Sequence, residues 1–141
     1  MSIIKKLIST LIVCTPLSSL AHKLNIACPH GKIPFQVELA QTPQECQKGL
    51  MFRTDLSEDE GMLFLFPQPR PSSMWMKNTP LSLDMIFCDE AGQVLAIYEK
   101  AVPFSLKSIG PVNNTMQVLE VRGGTVEKHK ISTKCTLKLE H

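Results

Sequence analysis

The residues best suited to chemistry are gathered between Pro71 and Phe87, in the segment PSSMWMKNTPLSLDMIF. It contains the only tryptophan of the chain, Trp75, followed closely by Lys77, Asn78 and Asp84. A flat aromatic surface beside an ammonium, an amide and a carboxylate is how sites for small polar ligands are commonly built. Because neighbouring strand residues alternate between faces, Trp75 and Lys77 share one face. The segment therefore predicts a cleft with Trp75 as its floor.

An arginine in the earlier segment GLMFR extends this candidate site. Arg53 follows a predicted helix, and its planar fork of donors suits a carboxylate of the protein or of a ligand. Asp84 lies in an otherwise apolar strand, where an unpaired buried carboxylate is costly. We therefore predict Lys77 and Arg53 as its partners. Two interpretations remain open, a structural ion pair and a polar patch within the cleft.

Copper binding is an alternative hypothesis for the same segment. The thioethers of Met74 and Met76 beside the ring of Trp75 would suit Cu(I). Cleavage after Ala21 would also expose His22, whose amine and imidazole would chelate Cu(II). The other histidines show no metal-ligand spacing and no C-x-x-C occurs, so the sequence implies no resident metal and no cofactor.

An enzyme is a further alternative, in which Asp84, Lys77 and Arg53 would carry the reaction. The chain contains no G-x-S-x-G, H-E-x-x-H or G-x-x-x-x-G-K-[ST] motif, and each of these marks a known catalytic or phosphate-binding arrangement. The sequence therefore favours binding over catalysis and identifies no catalytic residue.

The elements that must position these residues are mostly strands. Period-two alternation, apolar runs and turn residues predict strands over 33–39, 62–66, 73–77, 83–88, 93–99, 115–121 and 133–140. The proline-rich segments 67–73 and 101–114 are predicted loops. This pattern predicts a small β-rich α+β domain, barrel-like or sandwich-like, with six to seven short strands and one or two short helices.

Two short helices are predicted between the strands. Thr42 and Glu45 form a capping box around Pro43, so the first helix runs to about Lys48 and ends at Gly49. A single helical turn capped by Thr125 is predicted in the segment RGGTVEKH.

The first 21 residues are typical of a secretory leader. Lys5 and Lys6 precede an apolar run over 7–13, and Ser19 and Ala21 supply small residues at the cleavage site. The run is shorter than the ~20 residues of a membrane-spanning helix. We therefore predict a signal peptide over 1–21 and one mature domain over 22–141, with its core at about 32–140. The protein would be periplasmic or secreted, with no stable membrane anchor.

Loss of the leader changes the charge balance of the domain. The chain has 15 Lys and Arg against 13 Asp and Glu, and the leader removes Lys5 and Lys6, so 13 of each sign remain. A formally neutral domain lacks the positive surface with which nucleic-acid-binding proteins neutralise phosphates. The predicted partner is therefore a small polar ligand or an envelope protein, and not nucleic acid.

Four cysteines remain after cleavage, Cys28, Cys46, Cys88 and Cys135. An oxidising compartment allows up to two disulfides among them, with three possible connectivities. Their spacing does not choose between these connectivities.

The segments GLMFR, EGMLFLFPQPRP, MWMKNTPLSLDMIF and GPVNNTMQVLEV, followed by GGT, resemble domain of unknown function (DUF) family 192 over about 37–139. The resemblance implies a compact β-rich single-domain protein, often exported, with a shared site rather than a known reaction. One departure is Met74, where the family usually has an aromatic residue, and it weakens a Met-Trp-Met trio as a family metal site. The family's motif positions fall here on Gly49, Leu50, Met51, Arg53, Gly61, Met62, Phe64, Trp75, Met76, Lys77, Asn78, Thr79 and Asp84.

We therefore expect an exported binding domain with a small cleft for a polar ligand or a partner segment. Its expected ligand-binding residues are Met51, Arg53, Trp75, Lys77, Asn78 and Asp84.

Overall fold

The computed structural model describes residues 21–141, so the predicted leader lies outside the described residues apart from Ala21. Seven strands and two short helices make up this part of the chain, which confirms the predicted β-rich class. In chain order they are β1 (His22–Cys28), β2 (Gly31–Ala40), α1 (Pro43–Lys48), β3 (Glu60–Met74), β4 (Leu83–Cys88), β5 (Val94–Ala101), β6 (Ile109–Arg122), α2 (Thr125–His129) and β7 (Thr136–Leu139).

The strands form one curled sheet in the order β5-β4-β6-β3-β2-β1-β7. All neighbouring pairs are antiparallel except β2 and β3, which run parallel and are connected through α1. The two edges of the sheet meet at one end, where Gln93 bridges to Thr136 and the Leu137 N–H donates to the Gly92 carbonyl at 2.8 Å. Of the two predicted architectures, the barrel-like one is therefore confirmed.

Two apolar clusters lie on opposite faces of this sheet. Because strand residues alternate, Ile86 and Cys88 of β4 join the inner cluster whereas Met85 and Phe87 join the outer cluster. The inner cluster takes residues from all seven strands and from α2. The outer cluster is built mainly from β3, β4 and β6 and is covered by the segments that follow α1 and β3. The candidate site lies on this outer side.

Helix α1 is formed as its local sequence predicts. The Thr42 hydroxyl accepts from the Glu45 N–H at 3.1 Å, and the Glu45 carboxylate accepts from the Thr42 N–H at 3.2 Å. Gly49 ends the helix with φ of 47°, a conformation that glycine adopts without strain. In this conformation Gly49 lies close to the ring of Phe64 on β3.

Strand β3 is longer than predicted, because it continues through the proline-rich segment expected to be a loop. Arg70 and Ser72 pair with Thr115 and Val112 of β6, with irregular register between the pairs. The prolines at 67, 69 and 71 are not among the residues that pair with β6. Prolines are therefore compatible with this strand, since β2 pairs only with its first part, 60–64.

Other boundaries also differ from the sequence predictions. Strand β1 was not predicted, and β6 begins at Ile109 within the expected 101–114 loop. Trp75 follows the end of β3 and therefore does not lie within the predicted strand 73–77. Thr125 is the first residue of α2 and not its cap: the cap position is Gly124, and the Thr125 hydroxyl donates to the Arg122 carbonyl at 2.6 Å.

One disulfide joins the two ends of the described chain, Cys28 on β1 to Cys135 just before β7. The structure therefore identifies one cysteine pairing that the sequence did not determine. Cys46 and Cys88 are free thiols, half-buried and buried respectively.

Candidate functional site

A small pocket of about 100 Å³ opens on the outer side of the sheet. Four parts of the fold meet there: the end of α1, the segment that follows it, the end of β3 with the residues after it, and the last part of β6, near Arg122. The lining residues are Cys46, Gln47, Lys48, Gly49, Leu50, Met51, Phe64, Ser73, Met74, Trp75, Lys77, Thr79 and Glu120. We call this the Glu120 pocket.

Glu120 is the only carboxylate among these lining residues. It lies on β6 between Met62 of β3 and Met85 of β4, and only 3% of its surface is exposed. Burial raises the pKa of Glu120 to about 8. Perturbed titratable groups in clefts are characteristic of functional sites, so Glu120 becomes the central residue of the candidate site.

Among residues 21–141, no group donates a hydrogen bond to the Glu120 carboxyl. Burial is the cause of its raised pKa. In the same part of the chain, no polar side-chain atom is both fully enclosed and without a partner. The carboxyl oxygens of Glu120 must therefore keep access to the pocket. A polar group entering the pocket would find them unpaired.

Trp75, Lys77 and Met51 are brought together at this pocket, as the sequence predicts. Trp75 is 45% exposed, and the Lys77 ammonium lies 5.1 Å from the centre of its ring. Such contacts between a cation and an aromatic face are attractive. Asn78 does not line the pocket itself but lies next to it, with its amide nitrogen 4.0 Å from the Met51 sulfur.

Arg53, also predicted as a ligand-binding residue, does not line the Glu120 pocket. It forms an ion pair with Glu38 of β2, and it lines a separate depression beside Leu56 and Gly61. The predicted pairing of Arg53 with Asp84 is therefore wrong, because the partner of Arg53 is a carboxylate of β2, which lies beside the start of β3.

Asp84 is fully buried and also lies apart from the cluster, on the other face of β4 from Met85. Its carboxylate accepts three backbone hydrogen bonds, from Lys100 N–H at 2.7 Å, Gly124 N–H at 3.1 Å and Val126 N–H at 2.8 Å. Neither Lys77 nor Arg53 is a partner, so this prediction is corrected. Asp84 instead connects β4 to the end of β5 and to the first turn of α2.

The residues predicted as possible copper ligands differ in how deeply they are buried. Met76 is fully buried in the outer cluster, whereas Met74 is half-buried and lines the pocket. His22 begins β1, opposite Val37. Within residues 21–141, no group of three His, Cys, Asp or Glu side chains is arranged to hold a metal ion.

A rim of exposed apolar side chains lies next to residues that line the pocket. Phe52, Phe104 and Leu106 are 71%, 61% and 68% exposed. Leu106 also borders a second depression of about 220 Å³ beside Trp75. The segments around 52, 76–79 and 104–105 are connected by backbone hydrogen bonds. These run from Phe52 N–H to Asn78 O (2.8 Å), from Met76 N–H to Ser105 O (3.0 Å) and from Phe104 N–H to Thr79 O (3.0 Å). The rim is therefore part of one connected structure.

Glu120 was missed by sequence reasoning, although a signal was present. In the strand MQVLEV it is the single charged residue, and it shares a face with the buried Val118. The same pattern surrounds Asp84 in LDMIF, where it marks a structural carboxylate. A lone acid in an apolar strand therefore indicates burial, while the distinction between the two roles depends on the groups that face it.

Two solved structures resemble this chain closely in fold and sequence. A proposed transcription regulator from Sinorhizobium meliloti 1021 has a TM-score of 0.84 and 36% identity, covering 89% of this chain and 98% of that chain. A protein of unknown function from Novosphingobium aromaticivorans DSM 12444 has a TM-score of 0.83 and 35% identity, covering 88% of this chain and 89% of that chain. Both are similar over nearly the whole described domain.

No curated protein shows a significant match to the chain. The family described as DUF192, Uncharacterized ACR, matches residues 26–139, which span every element from β1 to β7. The match covers the Glu120 pocket as well as the motifs noted in the sequence. The chain therefore belongs to DUF family 192.

Proposed function

We propose that this protein is an exported binding domain whose Glu120 pocket takes a small polar ligand or a polar group of a partner segment. One observation carries the proposal: the Glu120 carboxyl is buried at the pocket without a hydrogen-bond donor among the described residues. Buried polar groups in folded proteins are nearly always paired. A ligand that enters the pocket would supply the partner that the described residues do not.

The remaining lining fits the same proposal. Apolar side chains such as Leu50, Phe64 and Met74 form the walls, and few polar groups are present. Small-molecule sites combine such walls with a few polar groups that fix orientation. The volume of about 100 Å³ corresponds to roughly three water molecules at ~30 Å³ each, so the pocket fits a small ligand or the end of a larger one.

The apolar rim favours a ligand that continues beyond the pocket. Exposed apolar patches on soluble domains often mark binding surfaces. Phe52, Phe104 and Leu106 would then contact the part of the ligand or partner segment that stays outside.

Export is supported by the leader-like residues 1–21 and by the Cys28–Cys135 disulfide, which persists in oxidising compartments. We expect the full chain, expressed in a Gram-negative host, to be recovered from the periplasm or medium with His22 as its first residue. N-terminal sequencing and mass measurement test this. An intact Met1 in the cytoplasmic fraction would contradict export, and a leader with Lys5 and Lys6 both replaced by glutamate serves as the control.

Trp75→Ala is expected to weaken binding at least tenfold, equivalent to about 1.4 kcal/mol. The reason is that Trp75 lines the pocket and supplies its largest apolar surface. The measurement is the shift in unfolding temperature with a panel of small amines, carboxylates and sugars, since a ligand of the native state raises the midpoint.

Tyr98→Ala is the matched control, because Tyr98 is a similarly exposed aromatic residue on β5 that packs against Phe87 and does not line the pocket. It should keep full binding. Unchanged affinity in a folded Trp75→Ala protein would exclude the pocket as the binding site.

Nucleic-acid binding is not favoured for this chain. The Sinorhizobium meliloti relative is described as a proposed transcription regulator. Here residues 22–141 carry equal numbers of basic and acidic side chains, whereas nucleic-acid affinity depends on a concentrated positive surface. A small ligand fits the pocket better.

A further inference from the structure

The two buried carboxyls of the sheet differ in one decisive respect. Asp84 accepts three backbone hydrogen bonds. Glu120, one register step away on β6, receives none from the described residues, and yet it lines a pocket. Burial without a partner destabilises the charged form. The fold therefore keeps an acidic group whose oxygens face the pocket without a donor among the described residues.

Two cations of the described residues, Lys48 and Lys77, line the pocket together with Glu120. Lys77 places its ammonium 5.1 Å from the centre of the Trp75 ring, and neither it nor Lys48 is among the ion pairs of the described residues. Burial is the cause of the raised pKa of Glu120. The ring of Trp75 thus contacts a cation of the protein, and the Glu120 carboxyl of the same pocket has no donor among the described residues.

We propose that the Glu120 pocket binds the primary ammonium group of its ligand, with the ammonium donating to the Glu120 carboxylate and the attached carbon chain lying between Met51, Met74 and Phe64. This inference rests on the proposed binding function and names its ligand class. The amine belongs either to a small molecule or to a lysine side chain or amino terminus of a partner segment.

In its ionised form, Glu120 favours an ammonium over a carboxylate. A ligand carboxylate would meet the ionised Glu120 as a like charge, which is unfavourable at short range. A metal ion would need several anionic or imidazole ligands, and no such group is present among residues 21–141. An ammonium carries three donors on a compact head, and a single carboxylate can accept from it. A trimethylammonium has no donor and is the matched negative probe.

Ammonium binding is coupled to the release of a proton. Burial raises the pKa of Glu120 to about 8, so the free carboxyl holds a proton at neutral pH and must lose it to pair with a cation. Affinity should therefore rise with pH, by about fiftyfold between pH 6 and pH 8, and level off above. The titratable groups that face the pocket from the other elements are Cys46 and Lys48 of α1 and Lys77. Burial raises the pKa of Cys46 and keeps it protonated in this range.

The test is calorimetric titration of the purified protein with propylamine at pH 6 and pH 8. We expect binding that is about fiftyfold tighter at pH 8, and a loss of at least tenfold in Glu120→Gln at pH 8. Glu90→Gln, at an exposed turn position, should bind like the natural protein. Equal affinity at both pH values, or full affinity in a folded Glu120→Gln protein, would overturn the proposal.

Further probes separate this inference from the general binding function. Tetramethylammonium should not compete with propylamine. A peptide with a free lysine that competes, when its acetyl-lysine form does not, identifies a partner segment as the source of the amine. If a carboxylate or a sugar binds and alters Trp75 fluorescence while propylamine does not, the ammonium assignment fails and the binding pocket stands. If no probe changes Trp75 fluorescence or the unfolding temperature, both proposals fail.

Discussion

Asp84→Ala is expected to destabilise the domain by about 3–5 kcal/mol, because it removes a buried acceptor from three backbone N–H groups. Each donor would then be left buried without a partner or would have to reach water. The loss would separate the end of β5 and the first turn of α2 from β4. Since small domains are stable by about 5–15 kcal/mol in total, this is a large fraction of the stability.

Urea denaturation measures this effect. Asp55→Ala, at an exposed loop position, is the control and should change the free energy of unfolding by less than about 0.5 kcal/mol. Asp84→Asn keeps the shape but turns a donating amide toward some of these N–H groups, so it should also destabilise, by a smaller amount. A change below about 1 kcal/mol in Asp84→Ala would show that the carboxylate is not a structural centre.

Glu120→Gln is expected to have the opposite effect, and only at higher pH. Burial raises the pKa of Glu120 from 4.5 to about 8, so the folded protein binds this proton more tightly than the unfolded chain does. The stabilisation is fully present below pH 4.5 and is lost as the pH rises toward 8. The difference between the two pKa values sets an upper limit of about 5 kcal/mol for this loss.

A glutamine at 120 cannot ionise, so the variant should escape this loss. We expect the two proteins to be similarly stable at pH 4.5, and the variant to be more stable by up to about 5 kcal/mol at pH 9. Chemical denaturation across this range measures the difference, and Glu90→Gln should show none. A difference that does not vary with pH would mean that Glu120 is ionised in the free protein.

A natural residue that weakens the fold at physiological pH is most simply explained by function. Proteins often give up stability at sites where a ligand must find unsatisfied groups. Asp84 and Glu120 differ in the same way. The Asp84 carboxylate accepts hydrogen bonds from the backbone, whereas the Glu120 carboxyl has no donor among the described residues and is available to a ligand.

The parts of the fold that sequence reasoning predicted correctly are those with local causes. Helix α1 follows from Thr42, Glu45 and Gly49, which act within two turns of one another. Strand β4 follows from a short apolar run. Strand β1 was missed because its place depends on pairing with β2 and β7, and β7 lies at the other end of the domain.

The candidate site was also predicted correctly only where local sequence motifs determine it. Trp75, Lys77 and Met51 were expected together, because the end of β3 and the end of α1 carry the strongest motifs. Arg53 and Asp84 were assigned to each other on charge alone. Their real partners, Glu38 and the backbone of distant segments, are selected by the sheet topology, which spacing along the chain does not reveal.

The proline-rich half of β3 has a consequence for the behaviour of the protein in concentrated solution. Beyond Phe64 this strand has no partner on the β2 side, and an open strand edge is a template on which other chains can add. Proline has no backbone N–H, so positions 67, 69 and 71 cannot donate to an added strand. A second molecule therefore finds acceptors without the donors needed for a regular ladder, and the longest unpaired edge of the sheet is protected against aggregation.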